Sequence, residues 1–196
     1  MTTKESGSLA IEAIGLKKKF EPDILAVNGL DLKIEKGSIY ALLGPNGAGK
    51  TTTISILTTI FQPTGGVAKV TGYNVVKEPK KVREKIGVTF QETLVDDALT
   101  GRQTLDFHGQ LYGMSRSKRK KKIKELLHHV ELEDAADREA KTYSGGMKRR
   151  LELIRGLMTG PEILFLDEPT LGLDPQNRTK IWDYIISMRD TFGVTI

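Results

Sequence analysis

The sequence has no cysteine and only three histidines among its 196 residues. Without thiols there are neither disulfides nor thiolate metal sites. Three histidines do not argue for a metal cluster, and two of them, His128 and His129, are adjacent rather than at ligand spacing. Long apolar runs are also missing. Nothing approaches the roughly 18 consecutive apolar residues of a membrane span, and residues 1–8 lack the apolar core of a secretory signal. The chain is therefore expected to stay in the cytosol. Excess charge is modest too. The net charge of +5 comes largely from one run, residues 116–124, and is a local feature rather than a property of the whole surface.

What is present fits one globular unit. A length of 196 residues, with 38% hydrophobic and 28% charged residues and a mean hydropathy of -0.29, predicts a single domain with a sizeable core. Short β-like runs at 9–14, 25–27, 30–34 and 38–43 are broken by Gly15, by the tight-turn signal Asn28-Gly29 and by Lys36-Gly37. Residues 50–60 hold five threonines, a mediocre helix on propensity alone that the loop before it overrides. Further strands are predicted at 67–71 and 86–90. From 91 to 141 the pattern turns helical, at 101–112 and 117–129, with no strand between, which suggests a helical insertion. After Ser144, Met147, Leu151, Ile154 and Met158 share one helical face while Lys148, Arg149 and Arg155 fall mostly elsewhere. Gly160-Pro161 ends that helix. The apolar run 163–166 predicts a strand buried on both faces. Asp174 then caps a helix that starts at Pro175 and runs to about Arg189. Residues 194–196 open one more strand.

Residues Gly44-Pro45-Asn46-Gly47-Ala48-Gly49-Lys50-Thr51 fit the pattern G-x-x-x-x-G-K-[ST] between a predicted strand and a predicted helix, the context this phosphate-binding loop requires. The chemistry needs small residues because backbone N–H groups must wrap the phosphates closely, helped by the positive end of the following helix. Lys50 is placed to neutralise β- and γ-phosphates and the Thr51 hydroxyl to ligate Mg²⁺. The plain alternative is a glycine-rich turn with a surface lysine, which the flanking strand and helix argue against. Asp167 and Glu168 follow the apolar run at the C-terminal end of its strand, the edge where open α/β sheets bind ligands. Asp167 suits Mg²⁺, directly or through water, and Glu168 suits a water whose proton must be accepted. Alone, the pair could equally be solvated carboxylates.

Ser144-Gly145-Gly146 opens a helix with a hydroxyl and two exposed-backbone glycines at its positive end, a second place for phosphate. By itself it reads first as an N-cap with a flexible entry. The ordered set of residues 44–51, Gln91, 144–146, 163–168 followed by Pro169-Thr170, and Gly172-Leu173-Asp174-Pro175 resembles an ABC-family nucleotide-binding domain over almost the whole chain. That resemblance implies an α/β fold: a P-loop NTPase core with a mainly parallel sheet, an N-terminal antiparallel β subdomain and a helical insertion. One domain would comprise a β-rich part with the phosphate loop (9–91), a helical part (92–142) and a part with the signature helix and carboxylate strand (143–196). It implies ATP and Mg²⁺ as cofactors, with residues 44–51 and Thr52 on the phosphates. Ser144, Gly145 and Gly146 would close over the γ-phosphate held by a second copy. Gln91 would contact Mg²⁺ and the attacking water, Asp174 would lie in the loop that crosses between subunits, and Phe20 would stack on adenine, although a core phenylalanine fits that position nearly as well.

The signature here begins with Tyr143 and ends with Met147, where the commonest family wording has leucine and glutamine. This wording resembles that of drug-export transporters with separate ATPase subunits. A family histidine on the γ-phosphate follows the strand that opens near Val194, beyond the last residue of this sequence, so the resemblance implies a fragment or a short form with nucleotide binding intact and efficient hydrolysis open. The expected role is the motor of a transporter, peripheral on the cytoplasmic face of the membrane, paired with a second ATPase subunit and a transmembrane permease subunit, without direct nucleic-acid contact. The alternative is a soluble ABC ATPase on ribosomes or DNA, whose members usually carry two such domains or a long coiled coil. The basic run 116–124 could touch RNA or anionic headgroups, and reads first as a solvated helix face. A nucleotide kinase or GTPase would not explain residues 144–146 together with 167–169.

Overall fold

In the computed structural model, residues 9–90 and 95–196 are described. The alternating apolar residues of the first third form a hairpin of two long strands, β1 (Leu9–Phe20) and β2 (Ile24–Glu35). Their inward residues, among them Ile11, Ala13, Leu16, Val27, Leu32 and Ile34, are buried. The Asn28-Gly29 turn signal is not a turn. It lies inside β2, where the register against β1 shifts, and Gly15 sits at a matching shift in β1. Both glycines have positive φ, which a bulge requires as much as a tight turn does, so the residue signal is the same for either. The chain reverses instead at residues 21–23. β3 (Gly65–Val70) pairs antiparallel with β1, and the short β4 (Tyr73–Asn74) pairs with β3, giving the order β2-β1-β3-β4.

β5 (Ile86–Thr89) and β6 (Ile163–Leu166) form a second, parallel sheet, which Thr195 extends by a parallel bridge to Ile163. The expected strand at 38–43 is not a ladder strand among the described residues. Ile196 accepts a hydrogen bond from the Tyr40 amide and donates one to the Ser38 carbonyl, but Leu43 is 88% exposed.

Six helices are described. α1 (Lys50–Leu57) stops earlier than the expected residue 60, because the Thr58 hydroxyl donates to the Ile54 carbonyl and Thr59 takes a positive φ. α2 (Pro79–Arg83) is a single turn. α3 (Gly101–Leu111) starts with a complete capping box of Thr100 and Gln103, and α4 (Arg116–His129) starts on a Ser115 cap. The basic run lies on α4, where Arg119 pairs with Asp106 and Lys122 with Glu125. α5 (Gly145–Gly156) and α6 (Pro175–Phe192) begin on Ser144 and Asp174 as predicted, and α6 continues to a left-handed Gly193.

Two cores meet at β6. Ile163 and Phe165 belong with α1 and the antiparallel sheet, whereas Leu164 packs with α3 to α6. A strand apolar on both faces is what lets one edge join both halves, and it delivers Asp167 and Glu168 to the junction.

Candidate active site

The phosphate loop ends on Gly49, whose φ of 84° places it in the left-handed region as the N-cap of α1. A Cβ at Gly49 would run into the Ala26 carbonyl oxygen of β2, so both the conformation and the space require glycine. No side chain caps α1, which leaves its first N–H groups for a ligand. Residues Gly44, Pro45, Asn46, Gly47 and Ala48 are exposed, with Thr52 half-buried behind them. The Lys50 ammonium donates to the carbonyls of Gly44 and Pro45, both at 2.9 Å. Among the described residues it has no carboxylate partner, so an anion in the loop would meet an available cation.

Asp167 is 7% exposed, and its carboxylate Oδ1 lies 3.5 Å from the Thr51 hydroxyl. A hydroxyl and a buried carboxylate side by side form a hard-oxygen pair of the kind Mg²⁺ takes, so these residues fit that ion. The Asp167 amide donates to the Thr89 carbonyl at 3.0 Å, which fixes the end of β6 to β5. Glu168 has a φ of 48°. A non-glycine residue held there is strained by about 1–3 kcal/mol, and such strain clusters at functional sites. A cavity of about 640 Å³ joins Gly44, Asn46 and Lys50 to Asp167 and Glu168.

The structure thus brings Lys50, Asp167 and Glu168 around one cavity, with the Thr51 hydroxyl beside Asp167. It does not put Ser144, Gly145 or Gly146 on the wall of that cavity. Ser144 and Gly145 are exposed, and the Ser144 hydroxyl accepts the Met147 amide at 3.3 Å. Gly146 is buried against Asn177 of α6, and Asn177 donates to the Asp174 carboxylate at 2.5 Å. Hydrogen bonds from the Asn177 amide and side chain hold Asp174 below the usual carboxylate range. Phe20 ends β1, edge-on to Phe61 at 5.5 Å, with the Lys18 ammonium over its ring, and is not part of the cavity wall. Gln91 lies outside the described residues.

Tyr143, the residue that replaces leucine in the commonest wording, is buried, and its hydroxyl donates to the Ala135 carbonyl at 2.6 Å. Burial raises its pKa. Arg149 was missed by the helical pattern, which put it off the apolar face. It is buried because α5 is enclosed on almost every side: its polar flank faces the end of β6 instead of water. Glu152, one turn later and also buried, was the available signal, a carboxylate at i+3 from an arginine in a helix.

Residues 27–171 match the ABC transporter family, and the chain belongs to that family. It is a P-loop domain of the ABC class. It is 46% identical over 187 residues to the daunorubicin/doxorubicin resistance ATP-binding protein DrrA of Streptomyces peucetius, covering 95% of this chain and 56% of that protein. Against the linearmycin resistance ATP-binding protein LnrL of Bacillus subtilis (strain 168) it is 39% identical over 186 residues, covering 95% and 59%. The chain spans little more than half the length of these curated relatives. Among solved structures, cbiO1 of Clostridium perfringens, part of the ABC transporter complex cbiONQ, superposes with a TM-score of 0.89 at 27% identity, over 96% of this chain and 76% of that one. The ATP-binding cassette MJ0796, in a dimeric post-hydrolysis state bound to ADP and Pi, superposes with a TM-score of 0.81 at 27% identity, over 94% and 85%.

Proposed function

We propose that this chain is the ATPase motor of a drug-export-type transporter, peripheral on the cytoplasmic face of a membrane, and that two copies share each nucleotide. The observation that carries this reading is the separation of two anion-binding helix ends in one chain. The α1 end shares a cavity with Lys50 and the carboxylates, whereas the α5 end at Ser144 is exposed and off that cavity's wall. A second copy offering Ser144, Gly145 and Gly146 would complete the γ-phosphate site. Lys50 would turn from its loop carbonyls to the phosphates, and the Glu168 carboxylate would orient the attacking water and accept its proton. Thr51 and Asp167, with Gln91, would hold Mg²⁺, which supplies neutralisation of phosphate charge. Phe20 would stack on the base, and Asp174 would lie at the crossing between the copies.

No described helix is long and apolar enough to cross a membrane. A docking place for a separate permease subunit is supported by a cavity of about 240 Å³ where α1, β5 and α3 end. Ile60, Phe90 and Tyr112 line it and stay 52%, 36% and 56% exposed.

The test is steady-state MgATP hydrolysis over a range of protein concentrations. Turnover should rise faster than linearly with protein and fall by about 10²–10⁴-fold in Glu168→Gln. A strictly linear dependence down to the lowest concentration would overturn the shared site, and failure to bind ATP would overturn the reading as a whole.

A further inference from the structure

Arg149 is 7% exposed, and its guanidinium spends every donor it has at one place. Nε donates to the Pro169 carbonyl at 2.7 Å. Nη1 donates to the Phe90 carbonyl and to Glu152 Oε2, both at 3.1 Å. Nη2 donates to the Asp167 and Glu168 carbonyls at 3.3 and 3.0 Å. The fork's five N–H groups thus have five acceptors. Three of these are the consecutive carbonyls of Asp167, Glu168 and Pro169, and a fourth closes the end of β5, one residue before Gln91. The paired register ends at Leu166; beyond it the Asp167 amide donates to the Thr89 carbonyl and the Glu168 carbonyl also accepts the Leu171 amide, so Arg149 adds to a turn that the backbone already begins.

We infer that Arg149 is a positioning residue for ATP hydrolysis: it holds the peptide units around Glu168 in their left-handed turn and so aims that carboxylate at the water it must activate. The inference rests on the assignment of Glu168 as proton acceptor. A φ of 48° at a glutamate persists only where the surroundings over-determine it, and Arg149 supplies that constraint by gripping the carbonyls before, at and after the strained residue. Glu152 fixes the arginine in turn. It is 1% exposed and also lies 3.9 Å from Arg155. The clamp starts on the same helix whose first residues follow Ser144, so the helix end offered to a second copy and the carboxylate that acts on the first copy's nucleotide are joined by one rigid element within each chain.

The experiment uses the full chain and compares Arg149→Lys, Glu168→Gln and their combination. Lysine keeps the charge opposite Glu152 but offers three donors from a single point, so it cannot reproduce the fork. The double replacement Arg149→Gln with Glu152→Gln removes both buried charges together and serves if the lysine variant does not fold. The expected result is a fall in kcat of about 10- to 100-fold, the scale of a misplaced reacting group, with KM and ATP affinity held within about twofold. In single-turnover assays, Arg149→Lys should slow Glu168→Gln no further, since both act through one carboxylate. A wild-type kcat in Arg149→Lys, or a parallel loss of kcat and ATP affinity, overturns the positioning role and leaves Glu168 as proton acceptor. If Glu168→Gln keeps the wild-type rate, the assignment of Glu168 falls and the inference falls with it.

Discussion

Helices α1 and α5 both begin at proposed phosphate sites, and they are built on opposite principles. α1 begins on a left-handed glycine with no side-chain cap, is rich in threonine, and buries the polar Thr53 and Ser55 along with Ile56 and Leu57. α5 begins on a serine that caps its own first turn, and it is buried along most of its length. An uncapped helix end leaves its N–H groups open until a ligand takes them. A capped and enclosed one is stable without a ligand. The difference supports the proposed division, with the α1 end for nucleotide within the chain and the α5 end for a partner's. Packing follows the same division: α1 leans on the antiparallel sheet, whereas α5 is tied by Arg149 to the carboxylate edge.

The largest effect should come from the carboxylate beside α1. Glu168→Gln is expected to lower kcat by about 10²–10⁴-fold, roughly 3–5 kcal/mol of barrier, while ATP binding survives. Equal turnover would move the chemistry away from this end. Next, Gly49→Ala forces an alanine into a left-handed conformation and against the Ala26 carbonyl. It should cost about 1–3 kcal/mol of stability and abolish ATP binding measured by calorimetry. Ser144→Ala is the counterpart on α5. Loss of its cap should lower stability by about 1 kcal/mol, leave ATP binding to the single chain unchanged, and weaken the concentration-dependent part of turnover. If Ser144→Ala weakens ATP binding as strongly as Gly49→Ala does, the two ends are not distinct and the shared-site reading fails.

Much of this contrast is legible in the sequence, because both helix ends are written in local terms. Glycines and a lysine before α1, Ser144 before α5 and Asp174 with Pro175 before α6 each state a backbone requirement within a few residues. β6 is equally plain, as a short apolar run that ends in two acids. What the sequence pattern left out depends on partners far along the chain. Gly29 marks a positive φ, but only pairing with β1 decides between turn and bulge. Residues 38–43 are apolar enough for a buried strand, yet their pairing depends on a residue far along the chain, since Ser38 and Tyr40 hydrogen-bond to Ile196. Arg149 looks like a surface cation until β6 is placed beside it, since four of its acceptors are backbone carbonyls that carry no residue-type signal.

The smallest expected effect concerns the far end of α5, where α1 has no counterpart: neither the phosphate loop nor α1 contains a histidine. His108 of α3 is partly buried in the cavity between β5 and α5. Desolvation first, and the positive charge of Arg155 second, lower its pKa from 6.5 to about 4. The groups around it are Arg155 of α5, the Tyr112 ring at 4.9 Å, and Arg83 of α2 on the wall of the same cavity. Between about pH 6.5 and pH 4 the unfolded chain binds a proton at this position that the folded chain refuses. Stability should therefore fall as pH drops through that window and level off below it. Partial exposure screens the effect, which is expected to amount to about 1 kcal/mol. Urea unfolding followed by the fluorescence of Trp182, the single tryptophan, should show this slope, and His108→Gln should flatten it. Hydrogen exchange at pH 5 sharpens the contrast between the helices: amides at the end of α3 and the last turn of α5 should lose protection before those of α1. Equal loss in both places would mean that the α5 end is not held separately from the phosphate loop.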